Sequence, residues 1–320
     1  MEKLQREDIH ILRKDGNLSE TEINKALKEN VYSNKEAWQK FIRLFFITLG
    51  IGFTASGIVF FFAYNWADLN KFAKIGLIEG LIIATTISAL LLKVNANIRN
   101  IILTGAAVLV GVLFAVFGQI YQTGADAYDF FLAWTVFVTL WAIISNFAPL
   151  WLFYLILINT TFILYSQQVA NDWSEIFVFT SLFIMNTIVL FIAVIFSKYK
   201  KIWIIPNWFL NTVALACASY ATIGIIFVIF DKLRDVFPGL ILISLTTIVF
   251  ATGIWHGLKT KSGFYLSVIP FSLIIIVSAL LIEISDREII FLFIGLFIVA
   301  SVTLTIKNLI NLQKKWTNEK

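Results

Sequence analysis

Residues 130–165 read FFLAWTVFVTLWAIISNFAPLWLFYLILINTTFILY, and the topology of the whole chain turns on whether this is one helix or two. The apolar character is nearly continuous and is interrupted only at Ser145-Asn146-Phe147-Ala148-Pro149. A tight turn fits there, because a proline at the first position of the following helix lacks an N–H that would have no intrahelical partner in any case. Two spans are therefore expected, 130–145 and 149–165. One continuous span would invert everything downstream and put Lys198, Lys200, Lys201 and the basic C-terminal tail on the outer side, against the rule that lysine and arginine collect on the cytoplasmic side.

Moving outward, three further apolar runs precede this pair, at roughly 44–64, 75–92 and 101–118, and five follow it, at 174–196, 208–230, 237–255, 264–282 and 288–306. A helix rises ~1.5 Å per residue, so each run has the length needed to cross a hydrocarbon layer of ~30 Å. With 59% hydrophobic residues and a mean hydropathy of +0.85, a water-soluble fold would expose apolar surface everywhere. Alternating ten-residue strands of a barrel are absent, so each span must satisfy its own backbone hydrogen bonds as a helix. The expected fold is all-α: a polytopic helical membrane protein with about ten transmembrane helices and a short cytosolic N-terminal helical segment. It divides into residues 1–42, a ten-helix membrane domain over 43–306, and a basic tail over 307–320.

Charge supports the count. With the N-terminus inside, the outer gaps keep only Lys71, Lys74, Lys232, Arg234 and Arg287 of the 25 basic residues. Asp68, Asp126, Asp129, Asp172, Glu175, Asp231, Asp235, Glu283, Asp286 and Glu288 all fall outside. Both termini are then cytoplasmic. The net charge of +5 is a by-product of this bias, and with no compact basic face or interleaved aromatics it does not point to nucleic acid. Cys217 is the only cysteine, which excludes an intrachain disulfide and argues against a zinc site. The charge-rich stretch before the first apolar run is not expected to act as a cleavable signal peptide. Richness in Ile, Phe, Lys and Asn fits an AT-rich bacterial genome, and hence the bacterial inner membrane.

In residues 1–42, Leu4, Ile9 and Leu12 fall near helical spacing, Asp15-Gly16-Asn17 reads as a turn, and Ser19-Glu20-Thr21-Glu22 has the Ser-x-x-Glu form of a capping box opening a helix through Leu27. The segment carries too little apolar material for its own core, so it either docks elsewhere or serves as a solvated leader. Trp38, Lys40 and Arg43 mark the inner interface. Loosely shared wording in the first, third and seventh spans leaves a hairpin repeat open. Small residues four apart, Gly76 and Gly80, Ala107, Gly111 and Ala115, and Gly253 and Gly257, mark seams where helices would approach closely.

Glu79 is the only formally charged side chain well inside a span. A carboxylate there is costly unless protonated, paired or facing water, which makes it the first functional candidate. Flanked by Gly76 and Gly80, it is expected to face a packed neighbour, about one turn from the outer boundary, with Lys74 and Asp68 as possible partners. The alternative is a side chain that snorkels to the outer surface. Residues 119–134 form the densest polar stretch, and Gln119, Tyr121, Gln122, Asp126 and Asp129 could rim an outer cavity. An ordinary interfacial loop with a capped helix start at Asp126 or Asp129 explains them equally well. Asn159, Asn186 and Asn211 lie within spans and fit either a polar lining or helix-to-helix hydrogen bonds.

Tyr64-Asn65-Trp66 closing the first span, Phe117-Gly118-Gln119-Ile120-Tyr121-Gln122-Thr123-Gly124-Ala125-Asp126 followed by Phe131-Leu132-Ala133-Trp134, and the Gly16-Asn17-Leu18-Ser19 turn resemble the bacterial membrane proteins catalogued as domain of unknown function 2157. The resemblance covers about residues 1–150. It implies a membrane protein and carries no activity over to these residues. Asn65 and Trp66 join the candidate rim.

An enzyme is not expected. Only His10 and His256 exist, no second aspartate faces Asp129 from another span, and no phosphate-binding loop is present. No cofactor is expected. Beside the lipid bilayer, the expected partner is a small solute or ion, for a transporter with an outward-facing polar cavity, or another protein, for a non-catalytic scaffold or complex subunit. Homo- or hetero-oligomers fit either.

Overall fold

The structure, a computed structural model, describes residues 19, 21–22, 35–64, 69–121, 124, 126–198, 205–231, 236–284 and 290–318. Among them are ten helices and no strand. They are α1 Lys35–Tyr64, α2 Lys71–Leu91, α3 Ala96–Tyr121, α4 Ala127–Ile144 and α5 Ala148–Gln168, then α6 Glu175–Lys198, α7 Asn207–Phe230, α8 Val236–Lys259, α9 Gly263–Ile284 and α10 Ile290–Asn318. All ten are long and apolar enough to cross a membrane.

The 130–165 stretch is two helices. Asn146 takes a left-handed backbone (φ 40°), which reverses the chain, and Pro149 lies in the first turn of α5, where it interrupts no hydrogen bond. The indole of Trp151 reaches back across the turn and donates to the Ala142 carbonyl at 2.8 Å. Further along, Thr139 and Tyr154 hydroxyls meet at 2.9 Å and Thr135 and Thr161 at 3.1 Å. These polar rungs hold the two helices in register where apolar surface alone cannot, since lipid tails are as apolar as leucine.

The chain divides into two compact units, one of residues 1–123 with 317–320 and one of residues 124–316. In the first, α3 packs against both α1 and α2. Ile78 and Val116 form the buried centre, flanked by Ile58, Ile82, Val112 and Leu113. Ala106 and Ala107 are fully buried on α3 and Gly111 is buried one turn on, whereas Ala115 is exposed, so that seam covers only part of its expected length.

In the second unit α7 is the hub, touching α5, α6, α8 and α9. Its buried positions, among them Val213, Cys217, Ala221, Gly224 and Val228, run the length of the helix. Small side chains are needed there: a Cβ on Gly224 would come within 2.7 Å of Leu242 Cδ2 and 3.1 Å of Phe179 Cβ. Gly253 and Gly257 of α8 do form the expected seam, with Ile269 Cδ1 at 2.6 Å from a Cβ on the first and Leu266 Cγ at 3.0 Å from one on the second. By contrast α10 buries little besides Ile294 and presents Phe291, Leu292, Phe293, Leu296 and Val299 outward.

Candidate functional site

Asn70 caps α2, its Oδ1 accepting from the Ala73 N–H at 2.8 Å. The helix therefore begins at Lys71 and not near residue 75. Glu79 lies eight residues in, about 12 Å along the axis at ~1.5 Å per residue, deeper than the single turn expected from the sequence.

Its direction also differs from expectation. The buried stripe of α2 runs through Lys74, Ile78 and Ala89 at helical spacing, because bulky Ile78 fits between Ile82, Val112 and Leu113. Glu79 is one residue, or about 100°, further round and is exposed. Gly76 and Gly80 are exposed with it, and a Cβ on either would have nothing within 4 Å. The seam expected at these glycines is thus not formed by any described part of the first unit. Among the described residues of that unit the Glu79 carboxylate has no hydrogen-bond or ion-pair partner. Lys74 is 7% exposed and belongs to the opposite, packed side.

The rim residues fall in both units. Gln119 and Tyr121 end α3 in the first unit, both exposed. Tyr121 lies 4.5 Å from the Phe117 ring, with the Lys71 ammonium 5.9 Å from its own ring centre, an aromatic and cationic contact suited to a membrane boundary. Asp126 and Asp129 belong to the second unit and cap α4: Asp129 Oδ2 accepts the Asp126 N–H at 3.1 Å in a capping box. Gln168 Oε1 accepts the Tyr128 N–H at 2.8 Å, and Tyr128, Tyr165, Trp173 and Phe177 stack edge to face in a belt beside it. These acids hold the start of a helix. Gln122, Asn65, Trp66 and Asp68 lie outside the described residues, as do most of residues 1–34.

Asn159 of α5 and Asn186 of α6 form a reciprocal amide pair. Asn186 Nδ2 donates to Asn159 Oδ1 at 2.6 Å and Asn159 Nδ2 to Asn186 Oδ1 at 3.3 Å, while each amide also donates to the carbonyl four residues back. With Asn186 0% exposed, this is a closed helix-to-helix joint and no lining of a wet cavity. Asn211 is half-buried on α7.

A pocket of about 320 Å³ that sequence reasoning missed lies between α6, α7, α8 and α9, lined by Cys217, Phe250, Gly253, His256, Tyr265 and Ile269 among others. Small Ala214, Ala218 and Gly253 on facing helices leave the space. Only the spacing of small residues on α7 and α8 could have signalled it. His256 stands edge-on to Tyr265 with ring centres 5.3 Å apart. The lining is mostly hydrocarbon and suits an acyl chain better than a hydrated solute. Among the described residues no three His, Cys, Asp or Glu side chains come together as metal ligands would.

No curated protein and no solved structure matches the chain. Residues 11–151, which run through α1 to α4 and include Glu79 and the whole candidate rim, match the model of the family described as predicted membrane protein (DUF2157).

Proposed function

We propose that the protein is a non-catalytic assembly subunit of the membrane, which holds another membrane protein against the open face of α2. One observation carries this reading: Glu79, Gly76 and Gly80 share a face that no described part of the first unit covers. A charged residue at the centre of a span costs about 3 kcal/mol on insertion scales. A second helix relieves that cost by offering a hydrogen-bond donor to Glu79, and the two glycines let its backbone come close. The closed Asn159–Asn186 pair, the capping roles of Asp126 and Asp129 and the apolar pocket all speak against a hydrated pathway for a small solute.

The test is cross-linking in native membranes. Cys217 is buried, so Gly76→Cys provides one accessible thiol on the face in question. A discrete adduct at Gly76→Cys that Glu79→Gln weakens is the expected result. If no adduct forms, and if Glu79→Gln instead abolishes uptake of a solute by vesicles holding the purified protein, the transporter reading takes its place.

A further inference from the structure

At the other end of the first unit, α1 and the start of α3 flank an open cleft of about 370 Å³ whose polar half is lined by Glu36, Gln39, Lys40, Arg43, Asn95 and Asn97 and whose apolar half includes Leu44 and Ile98. Its two cations are one turn apart on α1. The three amides stand around them, and the first turn of α3 adds the positive end of a helix: the Asn97 N–H is held by Asn95 Oδ1 at 2.9 Å. On the opposite side of α1 run Trp38, Phe41 and Phe45, all at least half exposed, with successive ring centres 5.3 and 6.2 Å apart. An aromatic ridge of this kind fixes the depth of a helix at the lipid–water boundary, and so places the cleft at the level of the headgroups.

We infer that this cleft binds the headgroup of an anionic glycerophospholipid, phosphatidylglycerol in its chemistry, from the adjacent leaflet. Lys40 and Arg43 receive the phosphodiester. Glu36 and the amides of Gln39, Asn95 and Asn97 accept from and donate to the glycerol hydroxyls. The Glu36 carboxylate also discriminates: it repels the carboxylate of a serine headgroup, which has the same net charge as a glycerol one. The inference stands apart from the assembly reading, which concerns α2.

Native mass spectrometry of the full-length protein with defined lipids tests it, the probes being phosphatidylglycerol, phosphatidylserine, phosphatidylcholine and soluble glycerol 3-phosphate. Phosphatidylglycerol is expected to bind at least about tenfold more tightly than phosphatidylcholine. Lys40→Gln with Arg43→Gln should weaken it by about thirtyfold, at roughly 1 kcal/mol per basic residue. Lys93→Gln with Arg99→Gln, at the same end but outside the cleft lining, should cost less than about threefold. Unfolding cannot imitate the effect of Glu36→Gln, which should raise binding of the serine lipid towards that of the glycerol lipid. Equal losses in the two double variants would reduce the effect to general charge attraction and overturn the site. So would wild-type protein indifferent to headgroup, or Glu36→Gln without gain. Displacement of the lipid by millimolar glycerol 3-phosphate would overturn the lipid as occupant in favour of a soluble phosphate ester.

Discussion

Two buried amides illustrate what a single residue contributes. Removing one of the Asn159–Asn186 pair leaves the other buried with half its bonds, so Asn186→Ala should lower stability by about 1–2 kcal/mol in a reversible unfolding assay in bicelles. Replacing both by leucine should cost less than the two single changes added together, because no polar group is then stranded. Ser19 and Glu22 give a second case: the Ser19 N–H donates to Glu22 Oε2 at 2.9 Å, and the Ser19 hydroxyl does so at the same distance. These bonds, the backbone one foremost, hold the Glu22 pKa below its ordinary value. The cap is therefore fully present above the carboxyl's unfolded pKa and is lost as pH falls through the lowered one. An NMR titration of selectively labelled Glu22 should give a midpoint below that of a free glutamate, and Ser19→Ala should return it towards normal. Both asparagines and the capping box were legible in the sequence, the box because its partners are three residues apart. That Asn159 meets Asn186 was not, since it depends on how α5 and α6 are rotated, and helices apolar all round do not encode their own rotation.

Helices are the most legible elements of the sequence, because the thickness of hydrocarbon sets their length and few other folds tolerate so many apolar runs. Their ends are less legible where a long cationic chain starts a helix, as at Lys71. Their faces are least legible. Small residues four apart marked a true seam at Gly253 and Gly257 and an open face at Gly76 and Gly80, and only contact with a neighbour separates the two. The contrast is measurable. Gly224→Ala must move Leu242 or Phe179 and should destabilise by about 1–3 kcal/mol. Gly76→Ala meets nothing in the described part of its own unit and should be neutral, or stabilising by up to about 1 kcal/mol through helix propensity, for purified protein in detergent. In membranes the same methyl should weaken the contact proposed for the α2 face, so that stability rises while cross-linking of Gly80→Cys falls.

For the molecule as a whole, the ten membrane-length helices among the described residues were legible because lysine and arginine alternate between gaps, and the Asn146 turn confirms the one ambiguous reversal. The sidedness that the same bias predicts is testable with an impermeant maleimide on intact cells, Cys217 being buried. Asp172→Cys should label at once, and Lys93→Cys only after the membrane is opened. The reverse order would turn the protein over. The division into units was not legible, since the sequence shows no linker near Gly124; it arises from which helices chose each other.

That division carries a consequence for how the protein is made. Among the described helices three precede the boundary and seven follow it, and both numbers are odd. With the N-terminus cytoplasmic, as the charge bias predicts, a ribosome finishing the first unit leaves the growing chain on the far side of the membrane, and the second unit starts from there. Expressed alone, the second unit would have to send its own beginning across, with no upstream helix to carry it. A gene split at this boundary should therefore regain function only when the downstream half is given a removable export leader.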